Sequence, residues 1–108
     1  MKHFATSRFW DCYNKLSPVT KSLADKNFEL LKQNPHHPSL KLKKIGKYWS
    51  VRTGLHYRAL GIDTPDETGI TWFWIGSHSE YNRLIAKYYK HIIRLIYNER
   101  ETDNSLRK

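Results

Sequence analysis

Apolar and polar positions divide the chain into a stretch with helical spacing, a stretch that alternates, and a second helical stretch. Phe9, Cys12, Tyr13 and Leu16 fall at helical spacing, and the residues around Lys2 to Phe4 leave room for a short first strand. Ser17 followed by Pro18 is a helix start, because serine caps free amides and proline tolerates the first helical position. The spacing predicts a helix from Pro18 to about Gln33. Val19, Leu23, Ala24, Phe28 and Leu31 form its core-facing stripe, and Lys21, Asp25, Glu29 and Lys32 stay outside. Asn34 and Pro35 end it.

Beyond the turn-like residues Pro35 to Pro38 the period changes to two. Leu40 and Leu42 alternate with Lys41 and Lys43; Trp49, Val51 and Thr53 alternate with Ser50 and Arg52; His56 and Arg58 alternate with Tyr57 and Ala59. Each of these segments is predicted to be a strand, with turns at Gly46-Lys47 and Thr53-Gly54 and a longer loop over Asp63 to Gly69. Ile70 to Ile75 is apolar on both faces except at Thr71, as expected of a central strand covered on one side by helices. Ser77 and Glu80 have capping-box spacing and start a last helix, with His78 in its first turn. Tyr81, Leu84, Ile85, Tyr88, Ile92, Leu95 and Ile96 continue that helix. The pattern fits a single α+β domain over residues 1–98, with helices on an antiparallel sheet of about four strands. Residues 99–108 are polar and are expected to form a frayed tail.

Charge sharpens this picture. Nineteen Lys and Arg against ten Asp and Glu give a net charge of +9, which favours a polyanionic partner: RNA, DNA, an acidic protein or an anionic membrane. No Asp or Glu lies between Leu30 and Ile62, whereas Lys32, Lys41, Lys43, Lys44, Lys47, Arg52 and Arg58 do. A one-signed, strand-rich segment of this kind neutralises phosphates. Edge protection against aggregation is the competing account for Lys41, Lys43 and Lys44. It explains Arg52 and Arg58 less well, since they sit within strands and carry a planar fork matched to phosphate oxygens. Arg83, Lys87, Lys90 and Arg94 form a second basic stripe on the last helix, which suits either ribosomal RNA or solvent. The single Cys12 closes no intramolecular disulfide, and no segment has a signal-peptide or membrane-spanning pattern, so a cytoplasmic protein with no membrane partner is expected. His36 and His37 lack a third ligand at useful spacing, so neither metal nor another cofactor is expected.

Three stretches resemble the RelE/ParE toxin superfamily: KLSPVTKSLADKNFELLKQNP, HPSLKLKKIGKYWSVRTGLHYRALGI and ITWFWIGSHSEYNRLI. Within them, Val51-Arg52-Thr53-Gly54 followed by Tyr57-Arg58, and Ile75-Gly76-Ser77-His78 followed by Tyr81, are typical of that group. The resemblance implies the toxin of a toxin–antitoxin pair, with a cognate antitoxin as partner. RelE-like members cut messenger RNA, usually on the ribosome, by attack of the ribose 2′-hydroxyl on the adjacent phosphate. ParE-like members inhibit DNA gyrase without cutting, and a non-toxic RNA-binding module is a further alternative. The RelE-like chemistry needs a base, an acid and cations at the phosphorane. His78 then becomes the candidate acid or base, with His56 as a second proton carrier two residues from Arg58 on the same strand. Arg58 and Arg52 would stabilise the phosphate, and Tyr81 would stack on a base or share a proton. Lys41, Lys43, Lys44 and Lys47 would hold the RNA backbone. Many RelE-like members carry Arg or Lys just after the glycine matching Gly76; here Ser77 and His78 follow, which leaves the identity of the acid open.

Overall fold

A computed structural model describes residues 1–87. In chain order the elements are strand β1 (Lys2–Ala5), helix α1 (Ser7–Asn14), helix α2 (Pro18–Gln33), a 3₁₀ turn (Pro38–Leu40), and strands β2 (Lys43–Ile45), β3 (Tyr48–Arg52), β4 (Tyr57–Asp63) and β5 (Gly69–Ser77). Residues 78–87 are helical and are called α3. The rest of the expected last helix, with Lys90 and Arg94, and the expected tail over 99–108 lie outside the described residues.

Both predicted caps form. Ser17 accepts the Thr20 amide at 3.2 Å with Pro18 behind it, so α2 starts and stops where the sequence places it. Ser77 accepts the Glu80 amide at 3.2 Å, and Glu80 reaches back to the Ser77 amide at 3.4 Å, closing the capping box of α3. Thr6 caps α1 in the same way, accepting from the Phe9 amide at 3.1 Å.

The sheet has five strands in the order β1-β5-β4-β3-β2, and it is mixed where about four antiparallel strands were expected. β1 is the difference. It pairs in parallel with β5, from Lys2 opposite Gly69 to Ala5 opposite Trp72. Gly69 makes the pairing possible, because a Cβ there would run into the Lys2 carbonyl. The other pairs are antiparallel, with a bulge in β5 against Leu60/Gly61.

Two further expectations are corrected. Leu40 to Leu42 is not strand: Pro38–Leu40 forms a 3₁₀ turn whose first amide His37 caps, and Lys41 takes a left-handed φ of 45° that swings the chain into β2. Buried Leu40 beside exposed Lys41 imitates strand alternation locally. The α2 stripe is also only partly covered. At roughly 100° per residue Thr20, Ala24 and Leu31 share one line, and these are the buried positions. Val19 and Leu23 fall to one flank and Phe28 to the other; Val19 is 72% exposed and Phe28 39%.

Adjacent strand residues face opposite sides, so the sheet has two cores. Ala24, Leu31 and Leu40 pack with Val51, Ala59, Ile70, Trp72 and Ile75 on the side of α2. Leu60 and Trp74 pack with Tyr81, Leu84 and Ile85 of α3 on the other. Among the described residues no helix is long and apolar enough to cross a membrane.

Candidate functional site

The register puts one group of polar residues on the α3 side. Lys43 stands opposite Ser50, Ser50 opposite Leu60, and Leu60 opposite Trp74; one step along, Arg52 stands opposite Arg58 and Arg58 opposite Gly76. Directly opposed residues share a face, so Arg52 and Arg58 bring two like charges together in mid-sheet. Gly76 keeps this row open, since a Cβ there would strike the Trp74 indole.

Arg58 is the centre of the cluster. It is only 7% exposed, its Nη1 donates to Ser50 Oγ at 3.4 Å, and its guanidinium carbon lies 5.1 Å from the centre of the Tyr81 ring. Its Nε is buried without a hydrogen-bond partner. The ion pairs among the described residues are Lys32–Glu29 and Lys44–Asp63, so no carboxylate among the described residues answers Arg58. Arginine keeps its charge in proteins, and a desolvated cation without a counter-ion is costly. An anion arriving at Arg58 would supply what the protein does not.

Tyr81 and His78 extend the cluster. Tyr81 is buried on α3, and its Oη accepts from Ser50 Oγ at 3.1 Å. His78 is exposed at the first position of α3, with its ring stacked 5.9 Å from that of Tyr81. The His78 amide donates to the His56 carbonyl at 2.7 Å, which ties the helix start to the β3–β4 turn. Arg58, Tyr81 and His78 therefore form a continuous series from the sheet interior to the surface.

The other predicted residues scatter. His56 lies in the turn, not on β4, which begins at Tyr57, so it does not share a strand face with Arg58. Arg52 is half-buried opposite Arg58 and also borders the cavity between α1, α2 and the sheet. Of the lysines, only Lys43 stands on the Arg58 side by register. Lys44 falls on the other side, bonded to Asp63 and over the Trp49 ring. Trp49 Nε1 also donates to Asp63, and these two hydrogen bonds hold its carboxyl below the usual carboxylate range. Lys47 sits in the β2–β3 turn over Tyr48, and Lys41 ends the 3₁₀ turn. No group of three His, Cys, Asp or Glu able to hold a metal occurs among the described residues.

Ser50 is the residue that sequence reasoning missed. Alternation with Trp49 and Val51 assigns it to a polar face, yet it is 0% exposed. Its even spacing with Arg52 and Arg58 was the available signal.

An apolar cavity lies elsewhere. About 340 Å³ opens between α1, α2 and the sheet, lined mainly by apolar groups including Phe4, Trp10, Phe28 and Trp72. His3 sits in its wall, accepting from Trp72 Nε1 at 3.1 Å, and burial, the N-terminal ammonium and Lys32 all push its pKa down. Among the described residues Arg52 is the one arginine at its rim, and the buried Arg58 is the stronger indicator of an anion site, because a mainly apolar wall offers little to neutralise a phosphate.

No family model matches the sequence, and no curated protein matches it. Solved structures do. The YoeB/ParE toxin from Agrobacterium tumefaciens matches with a TM-score of 0.55 and 18% identity over 72% of this chain and 99% of that one. A variant of the E. coli toxin RelE in the free state matches at 0.56 and 14% over 83% and 95%. The RelBE2 toxin–antitoxin complex from Mycobacterium tuberculosis matches at 0.55 and 18% over 71% and 96%. With its helices, its five-stranded sheet and its closing α3, the chain carries the fold of the RelE/ParE toxins.

Proposed function

We propose that this protein is the toxin of a toxin–antitoxin pair and acts as an endoribonuclease on messenger RNA at the ribosome. The observation that carries this reading is Arg58: a buried cation with no carboxylate partner among the described residues, flanked by a phenol and followed by a surface histidine. The resemblance of the sequence to RelE-like proteins and the shared fold support it.

In the reaction, the ribose 2′-oxygen attacks phosphorus as a base removes its proton. The bond from phosphorus to the 5′-oxygen breaks, and that oxygen takes a proton from an acid. Arg58, with Arg52 beside it, neutralises the charge that builds on the phosphorane oxygens. His78 is accessible and ring-stacked on Tyr81, so the two are the proton carriers. Lys43 on the same side holds the RNA backbone, with Lys41 and Lys47 contributing field at either end of β2, while Lys44 is paired with Asp63. In solved complexes related proteins are bound to RelB antitoxin, and a cognate antitoxin in the cytoplasm is the corresponding partner here.

The test is expression of the chain alone, followed by single-turnover cleavage of messenger RNA on programmed ribosomes. Cutting by the parent, with the rate lowered on the order of 100-fold in His78→Gln, supports the reading. Growth should recover when the adjacent gene product is co-expressed. A parent that never cuts but inhibits gyrase supercoiling would replace this reading with the ParE-like one.

A further inference from the structure

We propose that Ser50 is a positioning residue for this chemistry, acting through Tyr81. Its hydroxyl is sealed inside the sheet, and its side-chain hydrogen bonds go to two other elements: Arg58 on β4 and Tyr81 on α3. An alanine would fill almost the same volume, so packing gives no reason for the oxygen to be there. The two contacts are unequal. The 3.4 Å bond from Arg58 is at the long limit of hydrogen bonding, whereas the 3.1 Å bond to Tyr81 exceeds the usual hydroxyl–hydroxyl range by only about 0.1 Å, so Tyr81 is the residue that Ser50 governs more closely.

A hydroxyl has one proton to give, and Ser50 gives it to Tyr81 Oη. The phenol is thus held as an acceptor from inside the sheet, and its own hydrogen is left for a group beyond the three residues. The donations run from Arg58 to Ser50 to Tyr81, and serial donation of this kind strengthens the last member. The free end of the series is the phenolic O–H, beside the stacked His78 ring. Ser50 therefore fixes the direction in which Tyr81 offers its proton, without touching RNA itself.

This inference rests on the endoribonuclease reading, and a double-mutant cycle on the full chain keeps the two separable. Ser50→Ala should lower the single-turnover cleavage rate on the order of tenfold, the size of one hydrogen bond, while the dissociation constant for programmed ribosomes stays unchanged. In a Tyr81→Phe background, where the phenolic proton is already gone, Ser50→Ala should cost nothing further. Circular dichroism and urea midpoints confirm that the variants fold. A full tenfold loss in both backgrounds would mean that Ser50 acts on the fold at large and would overturn the proposal, as would parental cutting by Ser50→Ala or by Tyr81→Phe while the parent remains active. If the parent itself cuts no RNA, the endoribonuclease reading fails and the role of Ser50 fails with it.

Discussion

The two faces of the sheet solve the problem of burial in opposite ways. On the α2 side the buried groups are mainly apolar and the packing is incomplete: α2 touches the core along Thr20, Ala24 and Leu31, and the apolar cavity stays open beside Phe28 and Trp10. On the α3 side the buried groups include an arginine, a serine and a tyrosine hydroxyl. Apolar surface left in the open costs modestly, and burying a lone cation costs much more. The side with the larger energetic penalty is therefore the side where a function must account for it. The placement of charge identifies that side.

The largest expected effect would break this contrast if it failed. Arg58→Ala should slow single-turnover messenger RNA cleavage about 100-fold, because it removes a donor aimed at developing negative charge. Phe28→Ala, on the cavity side, should leave the rate within about twofold. Equal losses would move the chemistry to the α2 face.

Stability should show the reverse ranking. Leu31 is 2% exposed, so Leu31→Ala should destabilise the fold by about 2–5 kcal/mol in urea unfolding. Val19→Ala on the same helix should change it by no more than about 0.5 kcal/mol, since that side chain already meets water. A large loss from Val19→Ala would mean that α2 sits flatter on the sheet than its three buried positions indicate.

A smaller effect belongs to His3. Its pKa lies below the ordinary histidine value of 6.5 in the folded chain, chiefly through burial, so the unfolded chain takes up the proton first as pH falls. Stability is therefore fully present above about 6.5 and declines below it, by less than one proton's worth per pH unit because the ring is partly solvated. His3→Gln retains an acceptor for Trp72 and should flatten that decline between pH 7 and 5. An unchanged slope would assign the acid sensitivity to other groups.

The smallest effect separates two neighbouring lysines. Lys43→Ala should reduce the salt slope of RNA binding by about 0.7, the value of one single-strand phosphate contact. Lys44→Ala should leave the slope as it is, because that ammonium is already paired with Asp63 on the other side. Equal slopes for the two variants would restore a uniform basic edge.

What the sequence revealed was set by interactions between near neighbours. Ser17 with Pro18, and Ser77 with Glu80, cap helices through contacts three residues long, so α2 and the start of α3 could be read from spacing alone. β1 could not be read with the same clarity, because four residues carry little periodicity and their pairing partner begins at Gly69. Leu40 is buried in a 3₁₀ turn as it would be in a strand, so a burial pattern could not tell the two apart. For the site, Arg58, Tyr81 and His78 were recognisable as residue types and are brought together. His56 was misplaced by a single residue of strand register, and Ser50 was hidden because its role depends on a tyrosine 31 positions away.

The parallel pairing of β1 with β5 bears on the order in which the molecule assembles. β5 is the last strand among the described residues, yet it lies between β1 and β4 and supplies Ile70, Trp72, Trp74 and Ile75 to the two cores. On a growing polypeptide, β1 emerges well before β5 and cannot make this pairing until Gly69 and its successors have left the synthesis machinery. Closing so long a loop before its contacts can stabilise it slows folding. Arg58 likewise waits for β5 to flank it and for Tyr81 to close over it. Assembly of the Arg58 cluster is thus delayed until nearly all of the described chain has been made, so a nascent copy lacks the arrangement on which the proposed activity depends.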